Sequence, residues 1–369
     1  MPLAVVGGGL VGLSTAYWLA RHGQSPLLLE AGNLAARASG RNAGFLLSGV
    51  AQVVERLGRP QERDGLLDFW RATIANRELL RRELIDPGRV DCDFLPEGSW
   101  LATVGDPSAL QQACETLRGE GLDLDWRGAE AAYAASGSRA ILGGIFTARD
   151  GGLHPVKLCH GMAEAGGFAV ECGFRVRSLE ARGDRALLVS EGRSVIAERV
   201  VLTLNAYAPR VLPQLASAVR PVRGQILATA PGERFLQGVW YLNDGFEYVR
   251  QLADGTLLVG GRRLAAEADE RGYAETPTAT VQGALEEVLR ELFPGCGDRP
   301  IVQRWAGTMA FTPNCLPCIG RLDHLPAVTY GVGFNGHGLS LGFLAGRHLA
   351  LQALEQAGDP DFLPLTRYG

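Results

Sequence analysis

Three glycines in the spacing Gly7-x-Gly9-x-x-Gly12 stand between a short apolar run, Leu3–Val6, and a helical pattern carried by Leu13, Ala16, Tyr17, Leu19 and Ala20. Each glycine has its own task in such an arrangement. Gly7 permits a tight turn, Gly9 lets the backbone approach a pyrophosphate, and Gly12 lets helix and strand pack closely. The first helical N–H groups, those of Leu10 and Val11 among them, then present the positive end of the helix dipole to phosphate. A second apolar run, residues 26–29, ends in Glu30-Ala31, close to the distance at which a carboxylate meets a ribose hydroxyl. The chemistry these residues suit is dinucleotide binding. The pattern does not separate FAD from NAD, while Glu30 disfavours a 2′-phosphate by like-charge repulsion.

Other reactive groups are few. Lys157 is the one lysine, so a mechanism that needs a buried ammonium has a single candidate and arginine carries nearly all positive charge. Seven cysteines, odd in number and scattered, read as reduced thiols in a reducing compartment. Cys315 and Cys318 form the one tight pair, without the second pair that a structural zinc requires, so no metal site is expected. The chain has 369 residues, 46% hydrophobic and 21% charged, which fits one or two globular domains with a sizeable core. A net charge of −4 with mixed signs leaves no basic stripe, so nucleic acid is not an expected partner. No apolar run approaches the roughly 20 residues of a membrane helix. The first strand starts almost at Met1, leaving no room for a signal peptide, and a cytoplasmic protein is expected.

The elements that must position these groups change texture along the chain. Residues 62–84 read as an amphipathic helix, and residues 195–204 as a buried strand ending at Asn205-Ala206. Residues 221–228, 246–251 and 256–260 alternate as strands, with Asp254-Gly255 as a hairpin turn, which predicts an antiparallel sheet. Alternation puts Tyr248 and Arg250 on one face of that sheet. Glycine, at 49 residues about twice its usual ~7% share, clusters at Gly7–Gly9, Gly260-Gly261 and between Gly331 and Gly338, where close backbone approach is expected. Gly336-His337-Gly338 opens a final helix, residues 339–354.

Beyond Glu30 comes Ala38-Ser39-Gly40-Arg41-Asn42-Ala43-Gly44-Phe45. The far end carries Arg304-Trp305-Ala306-Gly307, Phe311-Thr312-Pro313-Asn314, Leu316-Pro317, Ile319-Gly320-Arg321 and Gly333-Phe334-Asn335-Gly336-His337-Gly338. Together with the first motif these segments resemble the D-amino-acid oxidase superfamily of FAD enzymes. The resemblance implies an α/β fold: a discontinuous Rossmann-type FAD-binding domain, residues 1–85, 145–215 and 300–369, and an inserted α+β substrate domain, residues 86–144 and 216–299, whose antiparallel sheet roofs the flavin. It also implies a set of cofactor-binding residues. These are Gly7, Gly9, Leu10, Val11, Gly12, Glu30 and Ala31; Ser39, Gly40, Arg41, Asn42, Ala43 and Gly44; Val176, in a strand meeting the adenine; Asn205, Ala206 and Gly307; and Gly333, Asn335, Gly336, His337, Gly338 and Leu339.

The departures from the family pattern bear on chemistry. Members that bind flavin covalently use a cysteine shortly before the Thr-Pro segment or a histidine after the second strand; here Gly307 and Arg41 stand there, so noncovalent FAD is expected. A lysine found in one member two residues after the last glycine is Ser340, which leaves the helix dipole alone at the flavin. The arginine that clamps a substrate carboxylate in glycine oxidase is replaced by Met309, with Arg250, Arg262 and Arg263 as candidates to take its place. His337, Tyr248 and Arg250 are the expected catalytic residues, with Tyr241 a further candidate; His337 either faces the substrate or caps its turn. The expected reaction is oxidation of the C–N bond of a small primary or secondary amine or amino acid, by hydride transfer to flavin and hydrolysis of the imine, with oxygen or another electron acceptor. An FAD-dependent 2-hydroxy-acid dehydrogenase and a flavin-binding subunit without turnover are the alternatives.

Overall fold

The computed structural model describes residues 2–50, 52–358 and 362. Met1 and the residues after Gly358 other than Phe362, which the expected 1–85 and 300–369 segments include, lie outside the described residues. Leu3–Val6 is buried along its whole length because it sits inside a parallel sheet covered on both faces, the setting that favours unbroken apolar runs. That sheet has the order Cys318–Leu322, Leu325–Val332, Arg199–Leu202, Leu3–Val6, Leu27–Glu30, Ala169–Cys172. Only the first pair runs antiparallel. The helix Leu10–Arg21 lies against the final helix, Gly338–Ala353, and glycine sets how near they come: a Cβ on Gly346 would stand 2.3 Å from Ser14 Cβ.

A second, eight-stranded sheet has the order Ile301–Phe311, Arg220–Thr229, Leu257–Gly261, Glu247–Gln251, Val239–Leu242, Ser99–Thr103, Gly143–Thr147, Asp125–Gly128. The helix Ala279–Leu292 packs against it, burying Val281, Leu285, Val288 and Leu289 at helical spacing. The predicted hairpin forms, with Glu247–Gln251 antiparallel to Leu257–Gly261. Three placements differ from the sequence reading. Residues 301–311 and 145–147, placed above in the FAD-binding segments, lie in strands of this second sheet, Ile301–Phe311 and Gly143–Thr147; Ile301–Phe311 pairs along almost all of Arg220–Thr229, and periodicity does not reveal pairing partners. The predicted strand 195–204 is two strands, Ser194–Ala197 in a small antiparallel sheet and Arg199–Leu202 beside Leu3–Val6. Residues 174–176 are not a strand, although Phe174 N–H still donates to Glu30 O at 2.8 Å.

One buried polar knot ties the strand Ser99–Thr103 of the second sheet to the segment after Phe45–Leu46 and to a long helix. Asp150, with no exposed surface, accepts from Ser48 N (2.8 Å), Ser48 Oγ (2.8 Å), Ser99 Oγ (2.6 Å) and Arg77 Nη1 (2.5 Å). Arg77 comes from the helix Pro60–Leu80, which realises the predicted amphipathic stretch. Removing the carboxylate takes the acceptor from Ser48 N–H and Ser99 Oγ and leaves a guanidinium that is itself 4% exposed with the partly exposed Glu78 as its remaining ionic partner. Asp150→Ala is therefore expected to cost about 3 kcal/mol or more in urea unfolding; a loss below about 1 kcal/mol, the scale of an exposed pair, would show the knot to be dispensable. Lys157 is paired with Asp93 at 2.7 Å on the surface. No helix among the described residues is long and apolar enough to cross a membrane, and no group of three or more His, Cys, Asp or Glu among them could hold a metal ion.

Candidate active site

A cavity of about 480 Å³ runs between the two sheets. At one end the first strand stops at Gly7, whose φ of +112° only glycine adopts readily, and a Cβ on Gly12 would stand 1.9 Å from Gly7 O. The turn therefore presents bare backbone. Leu10 N–H at the helix start donates to Ser39 Oγ at 2.8 Å, and Glu30 is held by Gly8 N–H (2.6 Å) and Gly32 N–H (2.7 Å). Of the expected cofactor residues, Gly7, Gly9, Leu10, Val11, Glu30, Ala31, Ser39, Arg41, Asn42, Ala43, Gly44, Val176, Asn205, Ala206, Gly307, Asn335, Gly336, His337, Gly338 and Leu339 line this cavity.

Gly12, Gly40 and Gly333 do not line it. Each shapes backbone that does: a Cβ on Gly40 would meet Ala35 O at 2.2 Å, and Gly333 N–H donates to Asn205 Oδ1 at 3.0 Å. Several lining side chains are likewise braces. Asn42 bonds back to Ala38 O, Ser39 O and Gly44 N–H, and Arg41 spans to Ala306 O (2.9 Å) and Glu275 (3.0 Å) in the opposite wall. Asn335 Oδ1 accepts from Thr312 N–H at 2.8 Å.

At the other end the wall is aromatic, with Phe45, Phe69, Tyr241, Phe246, Tyr248 and Phe311, and the final helix starts there at Gly338. Burial pushes the Tyr241 hydroxyl up to about 12 and raises that of Tyr248, so both stay protonated. His337 Nδ1 lies 3.0 Å from Asn335 O, a pairing that makes Nδ1 the donor and leaves the lone pair on Nε2. Nε2 is buried without a partner among the described residues. Burial first, and then the positive charges of Arg56 and Arg263, hold the ring at about 4 against the carbonyl's opposing pull, so it is neutral at pH 7.

The three candidate arginines have different fates. Arg250 shares a sheet face with Tyr248, as alternation predicts, yet its guanidinium is absent from the cavity wall: Nη1 donates to Gly44 O (2.9 Å) and Leu153 O (2.8 Å), and burial lowers it to about 10. Its contribution is to hold the Gly44-Phe45 backbone in place, which corrects the expectation that it faces the flavin. Arg262 turns to Glu247 at 3.0 Å. Arg263 lines the cavity, stacked over Phe311 (4.7 Å) and Phe246 (5.9 Å), with no carboxylate in ion-pair range among the described residues. The sequence reading does not reach Gln52, Arg56 or Phe69, which also line this end. Arg56 sits on the short helix Val53–Leu57 in an arginine-rich stretch, where nothing in the spacing sets it apart.

The model of a family described as FAD dependent oxidoreductase (DAO) matches residues 3–352. The chain belongs to this family. Among DAO-type relatives, gamma-glutamylputrescine oxidoreductase of Escherichia coli (strain K12) is 28% identical over 366 residues, covering 94% of this chain and 82% of that protein. The fold matches glycine oxidase from Bacillus cereus ATCC 14579, with a TM-score of 0.81 at 16% identity over 96% of this chain and 95% of that one. It also matches iminodiacetate oxidase (IdaA) from Chelativorans sp. BNC1, with a TM-score of 0.81 at 22% identity over 100% and 98%. The DAO family's cofactor fits the cavity. A bare glycine turn and a helix start suit a pyrophosphate, and Glu30 is presented to a ribose. A second helix start lies at the aromatic end, and Gly307, elsewhere in the cavity wall, has no side chain to occupy the space.

Proposed function

We propose that the protein oxidises the C–N bond of a small primary or secondary amine that carries a carboxylate, using noncovalently held FAD and oxygen as the electron acceptor. The observation that carries this reading is a stacked, unpaired Arg263 and an unpartnered His337 Nε2 in the wall of one cavity end. Among the described lining residues Glu30 is the one acid, and it stands at the nucleotide end, so nothing would balance a substrate of net positive charge. FAD, when bound, takes a hydride from the carbon next to nitrogen.

The chain's own part is positioning. Arg263 offers a fork of donors to the carboxylate. His337 Nε2 accepts the amine N–H, which turns the nitrogen and fixes which C–H bond is presented. Tyr241, Tyr248, Phe45 and Phe311 keep water from the reacting carbon.

Anaerobic addition of carboxylate-bearing amines to the FAD-loaded protein is expected to bleach its yellow colour, and air to restore it. A preparation that holds FAD and is bleached by none of glycine, sarcosine, D- or L-amino acids or iminodiacetate overturns the reading. Gly307 has no side chain, and Arg41 is a guanidinium already engaged with Ala306 O and Glu275, so neither can bond to flavin. Acid precipitation is accordingly expected to leave all colour in the supernatant. A yellow pellet would mean that another residue is attached to the cofactor.

A further inference from the structure

The aromatic end of the cavity contains a second cation that a single carboxylate does not explain. Arg56, on Val53–Leu57, lines the same end as Arg263, which follows the strand Leu257–Gly261. Its side chain is 13% exposed, and its one ionic neighbour among the described residues, Glu62, stands 3.7 Å from Nε. That carboxylate is already engaged by Arg59 Nη1 at 2.9 Å. Glu55 is likewise paired with Arg59. The Arg56 side chain donates no hydrogen bond among the described residues, which leaves its fork open to an anion in the cavity it lines.

Its position is fixed as well. Gln52 N–H donates to Asp244 O at 3.2 Å, joining the start of that short helix to the turn at Asn243–Gly245. Gln52, Asn243 and Asp244 have φ values of 58°, 49° and 59°, left-handed backbone that non-glycine residues hold only under constraint. The two arginines enter from different walls, and both act electrostatically on the His337 ring.

We propose that the substrate is a secondary amine flanked by two carboxylates, an N-(carboxyalkyl) amino acid, with one carboxylate on Arg263, the other on Arg56 and the nitrogen at His337 Nε2. This rests on the C–N oxidation proposed above. The neutral amine R–NH–CHR′–COO⁻ loses the hydrogen on its α carbon with both bonding electrons to FAD, leaving the iminium R–NH⁺=CR′–COO⁻. Water then adds, the C–N bond breaks, and R–NH₃⁺ and the 2-oxo acid leave. Because R carries the second carboxylate, the products are an amino acid and a 2-oxo acid. A simple α-amino acid would leave Arg56 unmet.

Binding of non-oxidisable analogues to the FAD-loaded enzyme separates this inference from the reading beneath it. Thiodiacetate keeps both carboxylates and (methylthio)acetate keeps one. Calorimetry is expected to give thiodiacetate an affinity about 30-fold higher or more, as a charge-assisted pair in a mostly buried site supplies. Arg56→Gln is expected to collapse that ratio to within about threefold of one, while Arg56→Lys, which keeps the charge but loses the fork, retains part of it. A wild-type ratio below about three, or a ratio that Arg56→Gln leaves unchanged, overturns the inference. If the ratio behaves as expected and iminodiacetate still does not bleach the flavin, the two-carboxylate site stands and the C–N oxidation reading fails.

Discussion

Arg263→Met should lower kcat/KM for a carboxylate-bearing amine about a thousandfold, close to 4 kcal/mol. Methionine keeps an unbranched apolar stem over Phe311 and Phe246, so the change removes the guanidinium while sparing most of the packing. The loss is large because no other cation from the sheet reaches the cavity: Arg250 is committed to Gly44 O and Leu153 O, and Arg262 to Glu247. How the loss divides is informative. If the carboxylate contact is equally strong before and during hydride transfer, KM rises and kcat stays; if it also fixes the carbon over the cofactor, kcat falls too. Rapid-mixing measurement of flavin bleaching against substrate concentration gives both numbers. A loss of less than about tenfold would mean that the carboxylate is held elsewhere.

The parts of the molecule legible in the sequence are those fixed by backbone geometry. Gly7, Gly9 and Glu30 could be placed because a strand, a turn and a helix start leave few ways to meet a phosphate and a ribose, and Gly336 to Leu339 because a glycine-rich turn opens a helix. All of them line the cavity. Side-chain destinations were less legible. Alternation puts Tyr248 and Arg250 on one face, but it does not show that Gly44 and Gly152, lacking side chains, leave a slot into which the Arg250 guanidinium turns; a Cβ on either glycine would stand 2.7 Å from Nη1. Which sheet Ile301–Phe311 joins is hidden for a related reason. Its residues alternate as any strand does, and its partner Arg220–Thr229 lies some eighty positions earlier in the chain. Arg56 was invisible because a five-residue helix carries too little periodicity to distinguish an inward arginine from a solvated one.

His337→Phe tests the acceptor at the centre of the site through two readouts that respond to different properties of the ring. Phenylalanine fills similar volume against Phe69, which meets the imidazole edge-to-face at 5.6 Å, but it has no lone pair to receive an amine N–H. A misdirected amine is expected to lose about a hundredfold or more in kcat/KM. Because the imidazole stays neutral down to about 4, the acid limb of the wild-type profile reports protonation of the substrate amine, and it should stay in place in the variant. The second readout is stability. Folding holds His337 at about 4 against an ordinary 6.5, so below 6.5 the unfolded chain takes up a proton that the folded chain refuses. The wild type therefore loses stability as pH falls from 6.5 towards 4, by about 1 to 2 kcal/mol between pH 7 and 5. His337→Phe lacks this component, so its urea midpoint should fall less over the same interval. Loss of activity with an unchanged pH dependence of stability would place the ring in solvent, where it could not orient the amine; the reverse pattern would leave it a packed residue that caps the turn.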